Sequence, residues 1–123
     1  MKQLNWGVIG AGGIARKRTI PGIMLAENAK LTAIMDVNET VLAELTAEYN
    51  VKGYKTVEEL LADPNVDAVY IASPVFAHLE QVKLAAAAGK HILLEKPLGR
   101  STEECEEMIR ICKEAGVKGG TAF

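Results

Sequence analysis

Apolar positions in this chain fall into two kinds of run. The first is short and nearly continuous: Leu4 to Ile9 with Gly7 inside it, Leu31-Thr32-Ala33-Ile34-Met35, Val66 to Ala72, and His91-Ile92-Leu93-Leu94. Runs of this length and composition read as strands buried on both faces. The second kind recurs at helical spacing. Val41, Leu42, Leu45 and Tyr49 line one face of a helix behind Asn38, a good N-cap. Phe76, Leu79, Val82 and an alanine run give an inward face to a helix from Val75 to Ala88, stopped by Gly89. Ser101 with Glu104 opens a last helix that runs to Ala115 and ends at Gly116.

Smaller elements fill the gaps. Thr56-Val57-Glu58-Glu59 is a capping box for a short helix through Leu60 and Leu61, closed by Pro64. Val51 to Tyr54 reads as an edge strand or a turn. Gly13 to about Ile20 predicts a short helix that Pro21 stops or bends, followed by an irregular or helical link through Asn28. Apolar strands alternating with helices predict an α/β fold: a doubly wound parallel sheet with helices on both faces.

Composition narrows the class without redirecting it. The 123 residues suffice for one core, and 49% hydrophobic with 24% charged residues is ordinary for a globular domain. Fourteen basic and sixteen acidic residues give a net charge of −2, with no basic block that would suit a nucleic acid or an anionic membrane surface. Arg16-Lys17-Arg18 reads as a solvated face. No apolar run approaches the length of a membrane span and no targeting segment precedes the first strand, so the expected location is cytoplasmic. Cys105 and Cys112 are seven apart on the last helix, in a stripe with Met108, Ile109 and Ala115. Two helical turns separate them by about 10 Å, too far for a disulfide. They read as core-facing thiols, and no metal site is expected.

The candidate chemistry lies where the strands end. The first strand runs into Gly10-Ala11-Gly12-Gly13-Ile14-Ala15, a match to G-x-G-x-x-G/A. In that pattern Gly10 permits the tight turn, Gly12 lets the backbone approach a pyrophosphate, and Ala15 lets helix and strand pack closely. The amides opening the next helix would face the anion. Asp36 ends the second strand, 24 residues after Gly12, near the spacing of an acid that takes the adenosine ribose hydroxyls. A carboxylate there repels a 2′-phosphate and no arginine follows at 37–40, which favours NAD over NADP. Together these features make the fold a Rossmann-type one.

Ser73-Pro74 ends the third buried strand beside the expected ribose and pyrophosphate. His78 follows one turn later, its ring directed either toward the cleft or over the surface. Glu95-Lys96-Pro97 closes the fourth. Charges directly after a buried strand are costly unless they are paired or reach a cleft. Lys96 there suits a substrate hydroxyl that becomes a carbonyl, Glu95 would orient it or bind ribose, and Pro97 fixes the turn.

The glycine turn, Asp36, the segment from Ser73 to His78 and the segment from Gly89 to Leu98 together resemble the nucleotide-binding half of the Gfo/Idh/MocA oxidoreductases, over roughly residues 3–117. The resemblance implies NAD(P)-dependent oxidation or reduction of a sugar, polyol or related hydroxyl compound. It implies that Lys96 is the catalytic lysine near substrate and nicotinamide, and that Glu95 and Pro97 shape the cofactor rim with His78 close to the cofactor. It also implies a division into a binding domain, 1–117, and a lead, 118–123, into a second domain that holds most substrate contacts and the oligomer face. The chain is then expected to be a shortened one, able to bind NAD but not to turn over substrate alone. Two adjacent glycines, Gly119 and Gly120, stand where the family has a more apolar sixth strand, and weaken that strand. The rival readings are a non-catalytic NAD-binding regulatory module and a protein-binding scaffold with an empty cleft.

Overall fold

The computed structural model describes residues 4–13, 20–95 and 99–121. The strands are β1 (Leu4–Ile9), β2 (Ala29–Met35), β3 (Lys52–Tyr54), β4 (Ala68–Ile71), β5 (His91–Leu94) and β6 (Gly119–Thr121). The helices are α1 (Ile20–Leu25), α2 (Glu39–Tyr49), α3 (Val57–Leu61), α4 (His78–Ala87) and α5 (Thr102–Ala115). All described strand pairs are parallel, in the order β3-β2-β1-β4-β5-β6. Strand order therefore reverses at β1, where β2 lies on one side and β4 on the other. A crevice opens at such a point beyond the carboxyl ends of the strands.

Two cores sandwich the sheet. Alternate residues supply them, since successive strand side chains point to opposite faces. Ile9, Met35, Val69, Ile71 and Leu94 pack with Leu60 of α3, Val82 of α4 and Met108 of α5. Val8, Ile34 and Tyr70 pack with Ile20 of α1 and with Leu42 and Leu45 of α2. Both faces are thus covered, as continuous apolar strands require.

The helix punctuation follows the side chains. Asn38 Oδ1 accepts from the amides of Thr40 and Val41 at 3.0 and 3.1 Å. The Thr56–Glu59 box closes with Glu59 N donating to Thr56 Oγ1 at 3.2 Å and Thr56 Oγ1 donating to Glu59 Oε1 at 3.0 Å. Ser101 Oγ accepts from Glu104 N at 3.1 Å, but the Glu104 carboxylate turns to the Arg100 amide and guanidinium.

Several expectations are corrected. Pro21 lies within α1, which continues to Leu25, and the helix expected before it, from Gly13 to about Ile20, falls mostly outside the described residues. Residues 75–77 form a 3₁₀ turn before α4, so Phe76 leaves the expected apolar face and is 67% exposed. On α5 the core-facing residues are Met108, Ile111 and Cys112; Ile109 is 66% exposed and Ala115 is exposed too. The two thiols are half-buried and free. Burial pushes the Cys112 thiol above its ordinary value. The glycine pair still forms a strand: Gly119 and Gly120 pair with Ile92 and Leu93, and a Cβ on Gly119 would stand 3.2 Å from Cys112 Sγ.

Candidate functional site

The crevice is lined by the turn after β1, the ends of β2 and β4, and Glu95 after β5. Gly10 makes the first bend with φ +81. A Cβ there would lie 2.9 Å from Ser73 N and 3.1 Å from Ala72 C, so the turn presses on the backbone leaving β4. The amides of Gly10 and Ala11 both donate to the Met35 carbonyl, at 2.9 and 3.1 Å. Ala11 is fully buried.

Asp36 completes this arrangement. Its Oδ2 accepts from Gly12 N at 2.9 Å and its Oδ1 from Asn38 N at 2.8 Å. A Cβ on Gly12 would meet Asp36 Oδ2 at 3.0 Å and Val41 Cγ1 at 2.9 Å. A side chain at position 12 would therefore displace Asp36 and Val41, a reason for glycine that the motif spacing does not disclose. The Gly10, Ala11 and Gly12 amides all have partners within the chain. Gly13 is exposed, and a Cβ there would meet nothing within 4 Å. The turn thus presents an open, Cβ-free surface beside a half-buried carboxylate. An ionised carboxylate has about four acceptor positions, so two amides leave room for two ribose hydroxyls. The remaining acceptor positions of Asp36 fit ribose hydroxyls, and the open surface at Gly13 leaves room for a diphosphate.

At the end of β4, Ser73 Oγ donates to Gln81 Oε1 of α4. The His78 ring is 1% exposed, with Nε2 2.8 Å from the Ser73 carbonyl oxygen, to which it donates. Of the two directions open to it from sequence, the surface is excluded; the ring ties the β4–α4 turn together below the crevice. Pro74 sets the 3₁₀ turn with φ −58. The Glu95 amide donates to Ile71 O at 3.0 Å, which holds the exit of β5 against β4. Structure brings Gly12 to Asp36, Gly10 to Ser73, and Ser73 to His78. Ile14, Ala15, the basic run 16–18, Lys96 and Pro97 lie outside the described residues.

Sequence reasoning missed a buried polar group beneath the sheet's opposite end. Lys90, 9% exposed, donates through Nζ to the carbonyls of Asp63 and Val66, at 2.9 and 2.6 Å. Asp63, 5% exposed, accepts from Tyr54 Oη at 2.9 Å and from Asn65 N at 2.9 Å. Burial opposes ionisation of Asp63, but those hydrogen bonds and the fields of Lys52 and Lys90 outweigh it and hold the carboxyl below its ordinary value. Nothing local in the sequence marks either residue as buried: Lys90 stands between Gly89 and His91, and Asp63 between Ala62 and Pro64.

A parallel sheet reversing at β1, with a glycine turn and an acid at that reversal, defines the class of doubly wound nucleotide-binding folds. The family model of the Gfo/Idh/MocA oxidoreductases, an oxidoreductase family with an NAD-binding Rossmann fold, matches residues 4–123, and the chain belongs to that family. It is 41% identical over 118 residues to a 1,5-anhydro-D-fructose reductase of Ensifer adhaerens, covering 95% of this chain and 35% of that protein. It is 40% identical over 118 residues to a myo-inositol 2-dehydrogenase of Thermotoga maritima, with the same shares covered. The fold superposes with a TM-score of 0.92 on a variant 3-ketoreductase of Actinomadura kijaniata in complex with TDP-benzene and NADP, at 29% identity over 98% of this chain and 37% of the other. The chain spans about a third of the length of the curated relatives it matches. Among the described residues no helix is long and apolar enough to cross a membrane.

Proposed function

We propose that the chain binds NAD, in preference to NADP, across the crevice at β1. The further proposal is that a protein of the relatives' length transfers a hydride between that cofactor and a hydroxyl-bearing carbon of a sugar or polyol. The observation that carries the reading is the Asp36 carboxylate, at the end of β2 and 2.9 Å from the Gly12 amide. It puts an anion where ribose hydroxyls would be accepted and a 2′-phosphate repelled. Gly13 and the amides after it would face the diphosphate, since those of Gly10, Ala11 and Gly12 are engaged within the chain. Ser73 and Glu95 would border the nicotinamide ribose.

When bound, the nicotinamide supplies the hydride acceptor or donor. Lys96 follows Glu95 directly, and its role in this reading is to polarise the substrate oxygen and carry its proton. His78 supports the site by fixing the β4–α4 turn. Residues 118–123 lead, in the same proposal, toward a substrate domain. The activity and substrate class rest on the likeness to the named reductase and dehydrogenase, and the cofactor on the crevice.

Calorimetric titration with NAD, NADP and ADP-ribose tests the reading. Saturable binding of NAD and ADP-ribose, with NADP weaker, is the expected result. No binding at millimolar concentration would end the dinucleotide proposal, and tighter NADP binding would end the part given to Asp36.

A further inference from the structure

Asp36 follows β2 as Lys55 follows the neighbouring β3. Met35 pairs with Tyr54 in the parallel β2–β3 ladder, and the Asp36 amide donates to the Tyr54 carbonyl at 3.3 Å. The next residues, Asp36 and Lys55, therefore leave neighbouring strands at the same level. Lys55 is not left to act on Asp36. Its Nζ lies 2.6 Å from Glu39 Oε1, in the first turn of α2, with the two side chains 65% and 72% exposed. The hydrogen bond from Lys55, and then its charge, hold the Glu39 carboxyl below its ordinary value; the same bond raises Lys55. Glu59 adds to the field at Lys55, but its carboxylate is engaged by the Thr56 hydroxyl in the cap of α3.

Resting on the NAD reading above, we propose that the Glu39–Lys55 ion pair is a determinant of cofactor choice. By neutralising Lys55, Glu39 leaves Asp36 as the dominant charge toward the 2′ position. A phosphate there carries close to two negative charges, and an unpaired ammonium beside Asp36 would offset the carboxylate's repulsion. Exposed ion pairs of this kind contribute little to folding, about 0–1 kcal/mol, so the pair can be broken without loss of the fold. Its influence on a nearby phosphate is electrostatic and falls with ionic strength, the screening length being about 8 Å at physiological salt.

The test is calorimetric titration of Glu39→Gln, Lys55→Gln and the double variant with NAD and NADP, at low and high salt. Glu39→Gln should bind NADP about three- to tenfold more tightly than the parent at low salt, with NAD affinity unchanged within about twofold. The gain should vanish in the double variant and shrink at about 0.5 M salt. Glu39→Ala is the second variant and should behave as Glu39→Gln does. If both Glu39 variants bind NAD normally and the NADP-to-NAD ratio does not move, the proposal is overturned. A gain that persists in the double variant also overturns it, because Lys55 would then not be the source. If the parent binds neither nucleotide, the reading beneath it fails instead.

Discussion

Replacing Gly12 with alanine should damage the crevice through two named neighbours. The added methyl would stand 3.0 Å from Asp36 Oδ2 and 2.9 Å from Val41 Cγ1. Ordinary van der Waals contact begins several tenths of an ångström farther out, so both neighbours must yield. Asp36 Oδ2 is the acceptor for the Gly12 amide itself, and displacing it weakens a hydrogen bond to a charged group. Such bonds contribute about 1.5–3 kcal/mol; partial exposure of Asp36 argues for the lower half of that range. Val41 packs against the core beneath α2, and overpacking there adds about 1 kcal/mol or more. The summed loss is about 2–3 kcal/mol. With a urea dependence of about 1–3 kcal/mol per molar for a small domain, the unfolding midpoint should fall by about 1 M. Trp6, the single tryptophan, sits on β1 and reports the transition by fluorescence.

Truncating Val41 supplies the control. Val41→Ala alone should cost roughly 1 kcal/mol from lost packing. Combined with Gly12→Ala it removes one of the two obstacles, so the double variant should be more stable than the sum of the single losses by about 0.5–1.5 kcal/mol. NAD affinity should fall at least tenfold in Gly12→Ala and recover in part in the double variant. An unchanged midpoint in Gly12→Ala, or strict additivity with Val41→Ala, would refute the steric account.

Other substitutions probe different parts of the scaffold. Gly10→Ala combines a left-handed φ with contacts to backbone that cannot rotate away; a loss of about 2–4 kcal/mol is expected in urea unfolding. Lys90→Met leaves two buried carbonyls without their donor and should cost about 2–4 kcal/mol, against near-zero for Met at exposed Lys113. Acid titration of stability should show Asp63. Because its carboxyl is held below the ordinary value in the folded chain, its contribution is complete above the unfolded carboxylate's range near pH 4. It is lost as pH falls through the lower folded value. Asp63→Asn should flatten that acid limb while lowering stability at neutral pH; an identical slope in parent and variant would remove Asp63 from the account.

Much of the crevice was legible because its requirements are local. A turn that needs positive φ selects glycine, and Gly10 has it. N-caps announce themselves by residue type, and Asn38, Thr56 and Ser101 all cap with their side chains, although the Glu104 carboxylate pairs with Arg100 instead of completing a box. Continuous apolar strands implied a sheet covered on both faces, which the two cores supply. What stayed hidden depends on neighbours distant in sequence. Phe76 and Ile109 fit an inward helical stripe on spacing alone. Phe76 fails because a 3₁₀ turn shifts the start of α4. Ile109 fails because α5 packs on the core through Met108, Ile111 and Cys112 instead. Lys90 and Asp63 resembled surface charges, and only tertiary pairing shows that they are the buried partners of carbonyls and a tyrosine hydroxyl.

Asp36 combines both kinds of information. Its distance from Gly12 in sequence matches the spacing of the acid in a dinucleotide site, and that much can be counted along the chain. Its hydrogen bond to the Gly12 amide can be seen only once β1 and β2 lie side by side. The same carboxylate that would choose between cofactors also holds the glycine turn in shape, and the Asn38 amide anchors its other oxygen to the start of α2. Removing the acid to admit NADP should therefore weaken both cofactors by loosening the turn. Changing Glu39 leaves that scaffold intact and alters only the field, which makes the Glu39–Lys55 pair the better place to alter specificity.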